Sequence, residues 1–233
     1  MIAAVIVAGG SGHRMGGDTR KQYLGLRGKP VLRWTLEAVA APGVIDDVVL
    51  VVPQGDVGVC RRLVIDPWGE AGAVRLVAGG AERQASVYNG VRACPPGTRI
   101  VVVHDGVRPF VTPEILRACI EGARRWGGAI AGVAAVDTLK RVDDQGRILA
   151  TVDRSPVRLA QTPQAFRFDL LRKAHEAALA DGFAGTDDAQ LVERIGGEVR
   201  VVAGSSRNVK LTRPDDLILA EAFLARGADE GPV

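Results

Sequence analysis

Residues 4–24 read AVIVAGGSGHRMGGDTRKQYL, an apolar run that passes directly into a glycine-rich, basic loop. Ile2 to Val7 is short, β-branched and apolar, the pattern of a strand buried on both faces of a parallel sheet. Gly9, Gly10, Gly12, Gly16 and Gly17 permit positive φ and close backbone approach, so successive N–H groups can converge on an anion, while Arg14 and Lys21 add cationic side chains. Geometry and charge together predict a loop that holds the phosphates of a nucleotide. A dinucleotide fingerprint would need a glycine where Met15 stands, and a P-loop would need a glycine followed by Lys and Ser or Thr. Both fingerprints are broken here.

Outward from this loop, strand-like and helix-like segments alternate. Val48 to Val52, Val74 to Val77, Ile100 to Val103, Ala129 to Val136 and Val199 to Ala203 read as short buried strands. Between them, Val31 to Ala41, Arg83 to Ala93, Pro113 to Trp126, Phe168 to Ala180, Asp188 to Ile195 and Pro214 to Arg226 read as helices. Pro113 and Pro214 sit at first-turn positions, where the missing N–H costs little. The alternation predicts an α/β, Rossmann-like fold: a mainly parallel sheet flanked by helices, with ligands at the carboxyl ends of the strands. The loop after Val7 and the His104-Asp105-Gly106 that follows Val103 would both lie there.

The segment from Asp137 to Ser155 departs from the alternation. It reads as two polar extended runs joined by a turn at Asp143-Asp144-Gln145-Gly146, with little apolar material of its own. It can be read as an ordinary surface hairpin; but an isolated two-stranded hairpin is marginal in water, so this β-arm, at about 137–155, is expected to pack on a second subunit.

Composition bounds the rest. With 233 residues, 47% hydrophobic but only 4% aromatic, the chain can bury a core of Ala, Val and Leu, and a single domain over 1–233 is expected. The 30 basic residues against 27 acidic ones balance too closely for a nucleic-acid binder, but a surplus of +3 suits a small anionic substrate. Cys60, Cys94 and Cys119 form neither a disulfide framework nor a zinc cluster, which fits a reduced cytoplasm. The first apolar run breaks at Gly9, too soon for a signal h-region or a membrane span.

Two further stretches carry chemistry. Gly79 to Gly90 is a glycine pair running into a helix start, where free N–H groups can meet a ligand or simply form a turn and cap. Asp105 falls at the carboxyl end of a buried strand beside the phosphate loop. A carboxylate there suits Mg²⁺, which takes one or two carboxylates with substrate phosphates and water. The plainer reading, a turn residue paired with Arg108, stays open, and His104 reads as a packed structural histidine rather than a base.

The loop pattern A-G-G-x-G-x-R-M followed by K-Q-Y-L resembles the sugar-nucleotide pyrophosphorylase superfamily. With the stretch from Gly79, HDGVRPF from His104, DTLKR from Asp137, TVDRS from Thr151, QTPQAF from Gln161, TDDA from Thr186 and NVKLTRPDD from Asn208, nearly the whole chain resembles the 2-C-methyl-D-erythritol 4-phosphate cytidylyltransferases of the non-mevalonate isoprenoid pathway. The resemblance implies a CTP site formed by Ala8, Gly9, Gly10, Gly12, Gly80 and Ser86, with cytosine read mainly by backbone groups. It implies that Arg14, Lys21 and Lys210 act at the reacting phosphates and that Asp105 serves the Mg²⁺ site. Arg108, Thr138, Arg154 and Thr186 match acceptor-binding positions, with Thr138 and Arg154 on the arm that reaches the neighbouring subunit of a homodimer. His13 and Ala81 depart from the family pattern, which more often has arginine and an acidic residue there.

The implied reaction is in-line attack of a polyol phosphate on the α-phosphate of CTP. It needs no protein nucleophile, because a phosphate monoester with a second pKa of about 6 is already largely dianionic at neutral pH. A ribitol 5-phosphate or other polyol-phosphate acceptor, or a non-catalytic nucleotide sensor, are the alternatives to be separated below.

Overall fold

The computed structural model describes residues 1–9, 20–40, 43–69 and 74–229. In chain order the elements are β1 (Ile2–Val7), β2 (Gly25–Leu26), β3 (Lys29–Pro30), α1 (Val31–Val39), β4 (Asp47–Val52), α2 (Val57–Cys60), β5 (Val74–Ala78), α3 (Arg83–Arg92), β6 (Ile100–Asp105), α4 (Pro113–Trp126) and β7 (Gly128–Ala134). They continue with β8 (Leu139–Val142), β9 (Ile148–Val152), β10 (Arg158–Arg167), α5 (Phe168–Ala180), α6 (Asp188–Arg194), β11 (Val199–Ala203) and α7 (Pro214–Asp229).

Among the described residues, seven strands form one sheet in the order β11-β7-β10-β6-β1-β4-β5. Its neighbours pair parallel except at β10, which runs antiparallel to both β6 and β7. The sheet is mainly parallel and carries helices on both faces, the α/β architecture expected from the alternation. Side chains on a strand point alternately to its two sides, and β1 divides the core accordingly. Ala4 and Ile6 pack with α1 and α4, through Leu32, Leu36, Leu116 and Cys119. Val5 and Val7 face the other way, onto Val87 and Val91 of α3 and the neighbouring Leu171 and Leu191 of α5 and α6. A third cluster joins Leu26 and Val31 to Val107, Leu211 and Ala220, and so seats α7 beside the strand ends. Gly90 is required at the α3 contact, because a Cβ there would come within 2.4 Å of Val5 and 2.9 Å of Val51.

Helix starts follow local chemistry. Thr112 Oγ1 accepts from the Ile115 N–H ahead of Pro113, and Asp187 Oδ1 accepts from the Gln190 N–H at the start of α6, each satisfying an otherwise orphaned donor. Besides the two-residue strands β2 and β3, the sequence reading misses β10 and the run 57–68. β10 contains Pro163 and three polar residues, which argue against an interior strand; its ladder with β7 is interrupted between Ala160 and Gln164, so the missing proline N–H falls in the gap. Residues 57–68 wind through α2, a wide turn at Arg61–Ile65 and a tight one at Asp66–Trp68, held by buried Cys60, Val64 and Ile65. Gly58 and Pro67 had masked that run.

Strands β8 and β9 pair antiparallel as a hairpin whose residues are exposed almost throughout, including Val142, Ile148, Leu149 and Val152. Asp143 closes its turn, accepting from the Gln145 and Arg147 N–H groups. Among the described residues, no helix is long and apolar enough to cross a membrane.

Candidate active site

β1 and β6 run in parallel register, with Val7 opposite Asp105, so the residues following one strand face the last residue of the other. There a cavity of about 360 Å³ is lined by Ala8, Gly9, Lys21, Ser86, Asp105 and Lys210 together with Gln22, Arg83 and Thr212. The order of the elements places cations from three distant parts of the chain against one carboxylate.

Asp105 is the electrostatic centre. Its side chain is 8% exposed, with Lys210 Nζ at 3.0 Å, Arg108 Nε at 3.4 Å and Arg83 Nε at 3.6 Å. Burial alone would raise its carboxyl; Lys210, Arg83 and Arg108 outweigh that and hold it well below the usual carboxylate range, so it is an anion at neutral pH. Of the two sequence readings of Asp105, the pairing with Arg108 is present, and the carboxylate also lines the cavity. Arg108 itself lies behind Asp105, donating from Nη1 to the Asn208 carbonyl at 2.7 Å. That bond ties the Asp105 corner to the segment carrying Lys210.

The cavity wall is held by buried amides and hydroxyls. Gln22 is 1% exposed and donates from Nε2 to the Ala8 carbonyl at 2.9 Å, which pins the turn Lys21–Tyr23 to the end of β1. Ser86 accepts from the Gly80 N–H at 3.1 Å and donates to the Glu82 carbonyl at 2.9 Å. A Cβ at Gly80 would come within 2.5 Å of Ala85, so that position requires glycine, and one at Gly9 would stand 3.3 Å from Ser86 Oγ.

His104 is fully buried. Its Nε2 is 3.1 Å from the Arg108 carbonyl and its Nδ1 is 3.0 Å from Thr162 Oγ1, which in turn accepts from the Asp105 N–H at 3.0 Å. The carbonyl assigns the proton to Nε2, so Nδ1 accepts from the threonine, and the imidazole is a neutral strut rather than a base. Burial pushes it down to about 4. Between pH 6.5 and 4 the unfolded chain therefore binds more protons than the folded one, and stability falls as the pH falls through that window. The contribution is complete above pH 6.5, is lost below 4 and amounts to about 3 kcal/mol. Urea unfolding of the parent chain and of His104→Asn across this range is expected to show a flatter pH profile in the variant; equal slopes would reject the assignment.

Other expected site residues fall elsewhere. Gly80 adjoins the cavity through Ser86. Thr186 is exposed at the turn before α6, where its hydroxyl donates to Gln190 Oε1 at 3.2 Å. Thr138 and Arg154 sit at the exposed base of the hairpin, where Arg154 Nη1 donates to the Val136 carbonyl, and neither lines the cavity. Gly10, Gly12 and Arg14 lie outside the described residues. Arg83, which the sequence reading gives no role, also lines the cavity; its position at the start of a helix after a glycine pair is the available signal. Among the described residues no group of three or more His, Cys, Asp or Glu is placed to hold a metal ion. Nor is there a thiol nucleophile among them: burial pushes Cys60, Cys94 and Cys119 up to about 12.

Residues 2–226 match the family model IspD: 2-C-methyl-D-erythritol 4-phosphate cytidylyltransferase. Proteins of that description from Geobacter metallireducens and Syntrophus aciditrophicus are similar to this chain. The first is 49% identical, over 96% of this chain and 97% of its own length; the second is 48% identical, over 100% and 98%. Among solved structures, the 4-diphosphocytidyl-2C-methyl-D-erythritol synthase of Anaerococcus prevotii superposes with a TM-score of 0.85 at 35% identity, covering 97% of this chain and 96% of that one. The 2-C-methyl-D-erythritol 4-phosphate cytidylyltransferase of Thermus thermophilus gives 0.77 at 35% identity, with 95% and 98% covered.

Proposed function

The chain belongs to the 2-C-methyl-D-erythritol 4-phosphate cytidylyltransferase family, and from that premise we propose how its cavity works. It is a nucleotidyltransferase that condenses CTP with 2-C-methyl-D-erythritol 4-phosphate to give 4-diphosphocytidyl-2-C-methyl-D-erythritol and pyrophosphate. The observation that carries the reading is the convergence of Lys21, Lys210 and Asp105 on one cavity at the carboxyl ends of β1 and β6.

The chemical problem is to bring a phosphate dianion onto a triphosphate. An oxygen of the acceptor phosphate attacks the α-phosphorus in line, a new P–O bond forms, and the bond to the β-phosphate breaks as pyrophosphate leaves. In this reading Lys21, Lys210 and Arg14 offset the charge that gathers on the α-phosphate and on the leaving group. Cations held in place around the reacting phosphates lower the barrier in the way known for phosphoryl transfer. In the same reading Ala8, Gly9 and Ser86 of the cavity wall, with Gly80 beside them, meet the nucleoside, and Gly10 and Gly12, which lie outside the described residues, are assigned to it as well. Arg108 and Thr186 serve the acceptor of the same subunit, and Thr138 and Arg154 that of the neighbouring one. The reading therefore requires a homodimer, acting in the cytoplasm on small molecules, with no nucleic-acid or membrane partner.

Asp105 fits Mg²⁺. It is the hard, anionic oxygen ligand that this ion takes alongside phosphate oxygens and waters, it lines the cavity, and Arg83 Nε stands 3.6 Å from its Oδ1, beyond hydrogen-bond reach. Bound there, Mg²⁺ would supply further positive charge to the triphosphate. Asp105→Asn is expected to lower activity more than tenfold and to raise the Mg²⁺ concentration needed for half-maximal rate. Because three cations would lose their shared anion, the variant is also expected to melt lower. An unshifted Mg²⁺ dependence would make Asp105 structural only.

Pyrophosphate release measured with CTP, Mg²⁺ and a panel of polyol phosphates tests the whole reading. Turnover is expected with 2-C-methyl-D-erythritol 4-phosphate above all others. Preference for ribitol 5-phosphate would move the acceptor, and CTP binding without release from any acceptor would leave a nucleotide sensor.

A further inference from the structure

Arg83 stands between two carboxylates. Its Nη1 lies 2.9 Å from Asp188 Oδ2, on a side chain 1% exposed, while its Nε lies 3.6 Å from Asp105 in the cavity. Asp188 is the first residue of α6 and has a second basic neighbour, His175 of α5, whose Nε2 is 3.2 Å from Oδ1 without hydrogen-bond alignment. The His175 ring stacks on Tyr88 of α3 with centroids 5.6 Å apart and planes 12° apart. The surrounding turn is stitched from both sides. Gln84, next to Arg83, donates to the Phe183 carbonyl and accepts from the Gly185 N–H. Gln164 of β10 accepts from the Asp188 and Ala189 N–H groups and donates to Asp187.

Burying an ion pair is a poor route to stability, since apolar residues of similar size often do as well or better. The arrangement has another result. A guanidinium carries five donors, and one is committed to Asp188 while the group is held at the cavity wall. Burial alone would depress Arg83; Asp188 and Asp105 outweigh it and hold the guanidinium above its ordinary range, a fixed positive charge. Such a fork suits phosphate oxygens better than a lysine does.

We infer that Arg83 is a further phosphate contact at the reacting centre, and that the buried Asp188, backed by His175, is the residue that positions it. The inference rests on the cytidylyltransferase reading. Arg83→Gln is expected to lower kcat/KM for CTP at least tenfold, and Asp188→Asn at least fivefold. The double variant should be no worse than Arg83→Gln alone, because Asp188 acts through the group already removed. A merely structural Asp188 would instead multiply its loss onto that of Arg83→Gln, and that result overturns the inference. Should Asp188→Asn not fold, His175→Phe takes its place: it keeps a ring on Tyr88 but removes the second contact to Asp188. A two- to fivefold loss in the parent background that vanishes beside Arg83→Gln supports the inference, and equal losses in both backgrounds reject it. A parent chain releasing no pyrophosphate from CTP and 2-C-methyl-D-erythritol 4-phosphate overturns the function reading and this inference with it. A working parent whose kcat/KM survives Arg83→Gln overturns the inference alone.

Discussion

Lys21→Ala is expected to lower kcat/KM for pyrophosphate release by more than about tenfold while the melting temperature stays close to that of the parent chain. The size follows from the bond at stake: a charge-assisted contact to the transition state contributes about 1.5–3 kcal/mol, and each 1.4 kcal/mol is a factor of ten. The fold is spared because the turn that carries Lys21 is held by its neighbours. Gln22 is bound to the Ala8 carbonyl and Tyr23 is buried in the core beside α1, and alanine disturbs neither. Steady-state kinetics together with a thermal melt decide the matter. A folded variant with unchanged kcat and kcat/KM would remove Lys21 from the mechanism.

Mixing two inactive proteins is expected to restore activity. If Arg154 serves the site of the neighbouring subunit, a heterodimer of Arg154→Ala and Lys21→Ala chains has one site carrying both defects and one carrying neither. Free exchange of equal amounts makes half the dimers mixed, so the recovered rate should approach about a quarter of that of the parent dimer. The hairpin supports the proposal physically. Val142, Ile148, Leu149 and Val152 are all exposed on two strands that, among the described residues, pair with each other and with no third strand, so a lone subunit leaves these apolar side chains in water. Differently tagged chains confirm that heterodimers have formed. Heterodimers no more active than their parents, or a chain that is monomeric at working concentration, would reject the shared site.

The fold was legible in the sequence where local chemistry and tertiary context agree. β1, α4, α5 and β11 lie where hydrophobic period, Pro113 and turn residues place them. β10 was illegible because it is justified only by its partners: Gln161, Thr162 and Gln164 are buried polar residues that bond to Ser205, Asp105 and Asp187, none of them near in the chain. The site divides in the same way. Lys21 and Asp105 announce themselves by sitting just after a glycine loop and at the end of an apolar strand. Gln22 and Arg83 do not, since a buried amide under a carbonyl and a guanidinium between two carboxylates become visible only when β1, α3 and α6 are brought together. His104 was read correctly as a structural histidine, though its threonine partner was not foreseen.

The antiparallel strand also governs how the chain survives its own synthesis. On the ribosome β6 is complete once Asp105 emerges, yet the strand that covers its outer edge begins only at Arg158. At translation speeds of about 5–20 residues per second, the nascent protein therefore shows an unpaired row of backbone groups on an apolar strand for a matter of seconds. Arrival of β10 ends that exposure, and in the same step Thr162 reaches the Asp105 N–H. A newborn chain thus gains its protection against sticking to its neighbours and the final setting of its central carboxylate in one event.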